Sequence, residues 1–260
     1  MTRTIDLVAD VGESFGDYRM GDDGEMFKTL TSANIACGFH AGDPRTMDAS
    51  VKSCVAHRLA IGAHPGFPDL VGFGRRAMDL TRDEIRTDLL YQMGALEAFA
   101  RANGTVLSHM SPHGRLGNLV VTDRDYALGV ADAVEEYNSN LIILTQVGEL
   151  EREARLRGIP VAVMGLIDRA YEDNGNLVSR REAGAVLHDP DAIADRAVAI
   201  VLDGVVTSRH GNRVEVSCDS LLMHGDNEAS IRAAQKVRSS LEKAGVRIAA
   251  LNSPRPEQAE

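Results

Sequence analysis

The sequence predicts an α/β fold of the (β/α)-barrel type, a single domain over residues 1–252 with a short tail at 253–260. Two observations lead there. Short apolar runs bounded by turn residues alternate with stretches of helical spacing, the pattern of buried parallel strands joined by helices. Residues that do chemistry fall where the apolar runs end: Asp10, His40, His64, His109 with His113, Asp168 with Arg169, and His224 with Asp226. In a barrel or an open α/β sheet the carboxyl ends of the strands share one face, so these side chains are expected to meet in one pocket.

Taken in order, residues 4–9 read as the first strand, with Asp10 at its end and the Gly- and acid-rich GESFGDYRMGDDGE as a loop. Residues 34–37 are a second apolar run. Met47, Val51, Val55 and Leu59, about four apart, mark a helix over 47–58 that returns the chain to a third run at 60–63. The segment PGFPDLVGFGRR after His64 is longer than the usual connection of about 2–6 residues, which favours a functional loop. Thr81 and Glu84 form a T-x-x-E capping box ahead of the apolar face Ile85, Leu89, Met93, Leu96 and Phe99, and Asn103-Gly104 should end that helix. Further strands are expected at 106–110, 141–144, 161–164 and 221–223. Helices are expected at 123–136, around Glu149, Glu151 and Glu153, at 192–202 behind Asp189-Pro190, and at 228–244 before Gly245. Residues 246–251 read as a last strand, making seven or eight in all.

The net charge of −10 argues against general affinity for nucleic acid or an anionic membrane, since binding phosphates needs a basic surface. Cys37, Cys54 and Cys218 are odd in number, widely spaced and contain no CxxC pair, which favours reduced thiols and a cytoplasmic protein. The first residues, MTRTIDLVAD, carry Arg3 and Asp6 and lack the apolar core of a signal peptide. Residues 16–21 have P-loop glycine spacing, but Asp22-Asp23 stand where Lys and Ser/Thr should be. No GxSxG or HExxH occurs.

Aspartate and histidine converging from four strands, Asp10, His40, His64 and His113, suit general acid–base chemistry, and Asp10 with His64 and His113 suits a divalent metal. Glu13 and Asp43 could fix the histidine tautomers, or simply bond local amides in their turns. Arg75 and Arg76 could clamp a carboxylate or phosphate, or form a surface pair. Asp168 and Arg169 could be a site acid and an anion binder, or a structural ion pair. With Asn34, His224 and Asp226, these four complete the candidate substrate-binding set.

The motifs DVGESFGDYRMGDD, SANIACGFHAGDP, IGAHPGFPDLVGFGRR, YQMGAL, PHG and HGD, in this order, resemble the LamB/YcsF family over nearly the whole chain. The resemblance implies a seven-stranded β/α barrel. It also implies a part in the ATP-dependent opening of 5-oxo-L-proline to L-glutamate, in complex with partner subunits B and C. Phosphorylating the lactam oxygen would turn a stable amide into an activated, imidate-like species that water attacks. Asp10, Glu13, His40, Asp43, His64 and His113 match family motif positions and are the candidate catalytic residues. The chain departs from the family pattern at three places. Val8 stands where members have Asn, Ser111 where they have Lys, and Met164 where they have Glu. Loss of a lysine and a glutamate together predicts a less polar pocket and an altered substrate or weakened activity. A metal-dependent, deacetylase-like hydrolase and a non-catalytic ligand-binding barrel are the alternative readings.

Overall fold

A computed structural model describes residues 3–179, 182–224 and 227–251. The chain runs β1 (Thr4–Val11), α1 (Asp23–Met26), β2 (Ser32–Ala36), α2 (Pro44–His57), β3 (Ala60–His64), α3 (Arg82–Ala102), β4 (Leu107–Met110), α4 (Gly114–Thr122), α5 (Arg124–Asn138), β5 (Ile142–Thr145), α6 (Glu149–Leu156) and β6 (Val161–Leu166). It continues with α7 (Pro190–Asp203), β7 (Val205–Thr207), β8 (Arg213–Glu215), β9 (Ser220–Met223), α8 (Glu228–Lys243) and β10 (Arg247–Ile248). Strands β1 to β6 and β9 pair side by side in parallel, and β9 returns to β1 through Asp6↔Ser220 to Ala9↔Met223. The result is a closed barrel of seven parallel strands, a single domain as the sequence predicts.

Side chains alternate across each strand, so every strand serves two cores. Leu7, Ala9, Ile35, Ile61, Ala63, Met110, Ile143 and Leu221 face outward into the main core shared with the helices. Val8, Leu144, Ala162, Leu166 and Leu222 form a second, separate cluster inside the barrel. The Thr81 capping box forms as expected: Glu84 N donates to Thr81 Oγ1 at 3.3 Å, and Thr81 N donates to Glu84 Oε2 at 2.7 Å.

The structure departs from the sequence reading at α1, a short helix that begins inside the segment read as a loop, and at α4, β7, β8 and β10. Helix α4 occupies Gly114–Thr122, where only a turn is expected, because two glycines and the β-branched Val120, Val121 and Thr122 give the segment a weak helical signature. Gly117 is needed there, since a Cβ would lie 2.5 Å from the Pro112 carbonyl oxygen. Strands β7 and β8 pair antiparallel apart from the barrel, unforeseen between α7 and β9. The expected strand over 246–251 shrinks to the two residues of β10, which pair with Thr4 and Ile5 at the start of β1 and add nothing to the barrel wall. Among the described residues, the three cysteines are free, and no helix is long and apolar enough to cross a membrane.

Candidate active site

The loops after the strands enclose a cleft of about 660 Å³ at the carboxyl end of the barrel. Asp10, Glu13, His64, Phe73, Arg75, Ser111 and His113 line one side. Leu144, Met164, Leu166, Leu177 and Leu222 line the other, with Arg169 and His224 also present.

The polar side is a chain of directed bonds. Asn34 Nδ2 donates to Asp10 Oδ1 at 2.9 Å, which leaves Asn34 Oδ1 to accept from His109 Nε2 at 2.9 Å. His109 fits inside the barrel because position 62 is glycine, where a Cβ would lie 2.1 Å from His109 Nε2. Asp10 Oδ1 is 3.4 Å from His64 Nε2, and His64 Nδ1 donates to the Ser111 carbonyl at 2.7 Å. His113 Nε2 donates to the Phe73 carbonyl at 2.9 Å, and its Nδ1 faces His64 Nε2 at 3.0 Å.

His40, on the loop after β2, stacks on His113 with centroids 3.6 Å apart. Gly66 and Gly74 wall in this stack. A Cβ on Gly66 would meet His40 Nδ1 at 2.7 Å, and one on Gly74 would meet His113 Cδ2 at 2.8 Å. The long loop after His64 therefore owes its length to closing over two imidazoles. Glu13 Oε1 lies 3.6 Å from His40 Nε2 and 3.8 Å from His113 Nδ1.

These environments push the ionisations apart. Burial opposes a charged Asp10, but the His64 charge and the bonds from His64 and Asn34 outweigh it and hold the carboxyl below the ordinary carboxylate value. Burial opposes a charged His64 as well, and the Asp10 carboxylate overcomes it, so the ring is raised. Burial, reinforced by Asp10, lifts Glu13 to about 8. Burial with the His64 charge drops His113 to about 3 and His109 to about 4. Burial also lowers His40 well below the usual imidazole value.

The remaining predicted residues divide. Arg75 lines the cleft with its guanidinium 5.0 Å from the Phe73 ring centroid. Arg76 does not line it. Its side chain pairs with buried Asp69, Nε donating to Asp69 Oδ1 at 2.7 Å, so the adjacent arginines are not a joint clamp. Asp43 caps α2, accepting from Arg45 N at 2.9 Å and Thr46 N at 2.8 Å, and ties down the first loop through Gly16 N at 2.8 Å. Local amides thus occupy it, the turn role that the sequence reading kept open. Asp168 Oδ2 meets His224 Nδ1 at 3.0 Å, and Arg169 donates to the Val178 and Ala185 carbonyls at 2.6 and 3.3 Å. Asp226 lies outside the described residues. Sequence reasoning placed His109 at a strand end but did not see its bond to Asn34. It also missed the apolar wall, whose residues look like ordinary core. Of the three departures, Val8 joins that inner apolar cluster, while Met164 and Ser111 line the cleft.

The LamB/YcsF family model matches residues 5–256. A protein of Natranaerobius thermophilus named as the A subunit of 5-oxoprolinase is 44% identical over 252 residues, 96% of this chain and 98% of its own length. Another of that name from Pyrococcus furiosus is 44% identical over 245 residues, covering 94% and 96% of the two chains. The crystal structure of a lactam utilization protein from Thermus thermophilus superimposes with a TM-score of 0.92 at 42% identity, over 95% of this chain and all of that one.

Proposed function

Because the chain belongs to the LamB/YcsF family, we propose that it is the lactam-binding subunit of an ATP-dependent hydrolase. The substrate is 5-oxo-L-proline or a related small cyclic amide, and the partners are subunits B and C in the cytoplasm. The observation that carries this reading is the two-sided cleft, with Asp10, Glu13, His64 and His113 facing Leu144, Met164, Leu166 and Leu222. A lactam is two-sided in the same sense. Its amide needs hydrogen-bonding and proton-transfer partners, and its ring methylenes need an apolar surface.

The chemistry balances as lactam, ATP and two waters giving amino acid, ADP and phosphate. The lactam oxygen takes the γ-phosphoryl group, and ADP leaves. Water then adds to the activated carbon, giving up a proton to the Asp10 carboxylate, which His64 and Asn34 hold ionised. Collapse breaks the C–N bond, with His64, the ring whose charged form Asp10 favours, protonating the departing nitrogen. The second water hydrolyses the resulting acyl phosphate. Arg75 suits a substrate carboxylate. The P-loop-like glycines at 16–21 lack the lysine a nucleotide site needs, so ATP is assigned to the assembly and not to that loop.

The test is glutamate release from 5-oxoproline and ATP by this chain mixed with its B and C partners, beside an Asp10→Asn control. ATP-dependent release that the control abolishes supports the reading, and its absence from a well-folded complex overturns it. The compact histidine cluster favours a second reading, hydrolysis on metal-activated water without nucleotide, which release independent of ATP would mark.

A further inference from the structure

Four side chains of the polar side bring one donor atom each into a compact group, in which the His40 and His113 rings lie stacked and would tilt to converge on an ion. The donors of Glu13, His40, His64 and His113 all lie within 4.8 Å of one another, and the three histidines are buried. The separations are 3.0 Å between His113 Nδ1 and His64 Nε2, 3.6 Å between His40 Nε2 and Glu13 Oε1, and 3.8 Å between His113 Nδ1 and Glu13 Oε1. A tetrahedral ion with bonds of about 2.0–2.1 Å needs its ligand atoms about 3.3 Å apart.

The backbone fixes which nitrogens are free. The Ser111 carbonyl can only accept, so His64 carries its proton on Nδ1; the Phe73 carbonyl likewise puts the His113 proton on Nε2. In their neutral forms the two rings then point lone pairs at each other across 3.0 Å. A positive centre has to lie there. A proton shared between them would relieve that pair alone. It would leave His40, which is fully buried with no hydrogen-bond partner among the described residues on either ring nitrogen. Glycines at 66 and 74 hold that ring in place, and it ends beside Glu13 and the other two histidines. One cation serves all three rings.

We infer that the chain binds one divalent transition-metal ion of the zinc class through His40 Nε2, His64 Nε2 and His113 Nδ1, with the Glu13 carboxylate as fourth donor. Three imidazoles and one carboxylate suit zinc and its neighbours over magnesium or calcium, which take all-oxygen sites. The backbone carbonyls of Ser111 and Phe73 fix the tautomers of two ligands, as outer partners do in metal sites. This set differs from the Asp10, His64 and His113 expected from sequence. Asp10 Oδ1 lies 3.4 Å from His64 Nε2 but accepts from Asn34 Nδ2 and is not one of the compact group of four. An ion here would take up Glu13, His64 and His113 and leave Asp10 as the free base, replacing the proton donor of the proposed lactam chemistry; because retention is measured without turnover, failure of the metal site is distinguishable from failure of that reading.

The experiment strips the full-length chain with chelator, adds one equivalent of Zn²⁺, removes the excess by gel filtration and measures metal per chain by elemental analysis, with thermal melting alongside. One ion per chain and a raised melting temperature are expected for the wild type. His40→Ala should retain under a tenth of an equivalent and lose the metal-dependent rise, while melting like the wild type when both are metal-free. Glu13→Gln, which removes the anionic fourth donor, should retain clearly less than one equivalent through the same gel filtration. A wild type that retains no ion overturns the inference, as does full retention by His40→Ala. Should His40→Ala fail to fold, the Co²⁺-loaded wild type decides: intense visible bands of a tetrahedral site support the inference, and weak six-coordinate bands refute it.

Discussion

On the side of the barrel built by β1 to β4, the inward positions hold His64, Asp10, Asn34 and His109, each bonded to or in ionic contact with the next. On the side built by β5, β6 and β9, the inward positions hold Leu144, Ala162, Leu166 and Leu222, which touch without directional bonds. Both sides are strands of the same barrel, read by the same alternation. The difference lies in what a substitution disturbs. Removing a member of the polar chain strands its neighbour's hydrogen or lone pair in a buried site, whereas removing a leucine leaves a gap that neighbours partly fill.

The sharpest contrast is in turnover by the assembled complex. His64→Ala should lower kcat/KM by about 10³-fold, within the range for a lost acid–base group, and Leu166→Ala by less than about tenfold, chiefly through KM. Equal losses would erase the distinction between the two sides. The ranking reverses for stability. Leu166→Ala, truncating a buried side chain, should destabilise by about 2–5 kcal/mol in denaturant titration. Asn34→Leu leaves Asp10 and His109 each without a partner and should cost about 1–3 kcal/mol, with kcat falling more than KM rises. A kcat unaffected by Asn34→Leu would show that Asp10 needs no orienting partner. Met164→Ala, at the half-buried rim of the apolar wall, should raise KM a few-fold at unchanged kcat.

The smallest effect concerns Asp6, a carboxylate on the inner face below both sides. It accepts from the hydroxyls of Thr31 and Ser32 at 2.7 and 2.5 Å and from Ser220. Burial, only partly offset by these hydroxyls, raises its carboxyl above 3.8. The folded chain therefore keeps a proton that the unfolded chain releases. That contribution is complete below 3.8, the unfolded value, and fades as pH rises through the folded one. Between about pH 4 and pH 7 the melting temperature of Asp6→Asn should gain on the wild type; a constant gap would place the Asp6 proton elsewhere.

The sequence carried the barrel because its strands are short apolar runs whose ends are marked by histidine or aspartate, a signal that survives without knowledge of pairing. It carried His40, His64, His113 and Glu13 for the same reason. Other features were illegible because they depend on contacts between distant residues. Asn34 with His109 spans 75 positions, and Arg76 is separated from its neighbour Arg75 in role only by the buried Asp69. Helix α4 was hidden by Gly114 and Gly117, which let the Gly74 and Pro112 carbonyls pass close by. The apolar wall could not be told from core because its residues are the same types, distinguished only by which face of the strand they leave.

Strand β1 has hydrogen-bonded neighbours on both edges, and one of them, β9, begins at Ser220, while the β10 pair to its first residues comes from Arg247 and Ile248. A ribosome that has released the chain only as far as α7, which ends at Asp203, has therefore supplied six of the barrel strands as an open sheet with raw edges at β1 and β6. The barrel cannot close until Ser220–Met223 has emerged to pair with both β1 and β6. Until then, both edges await the same short strand with their backbone groups unpaired.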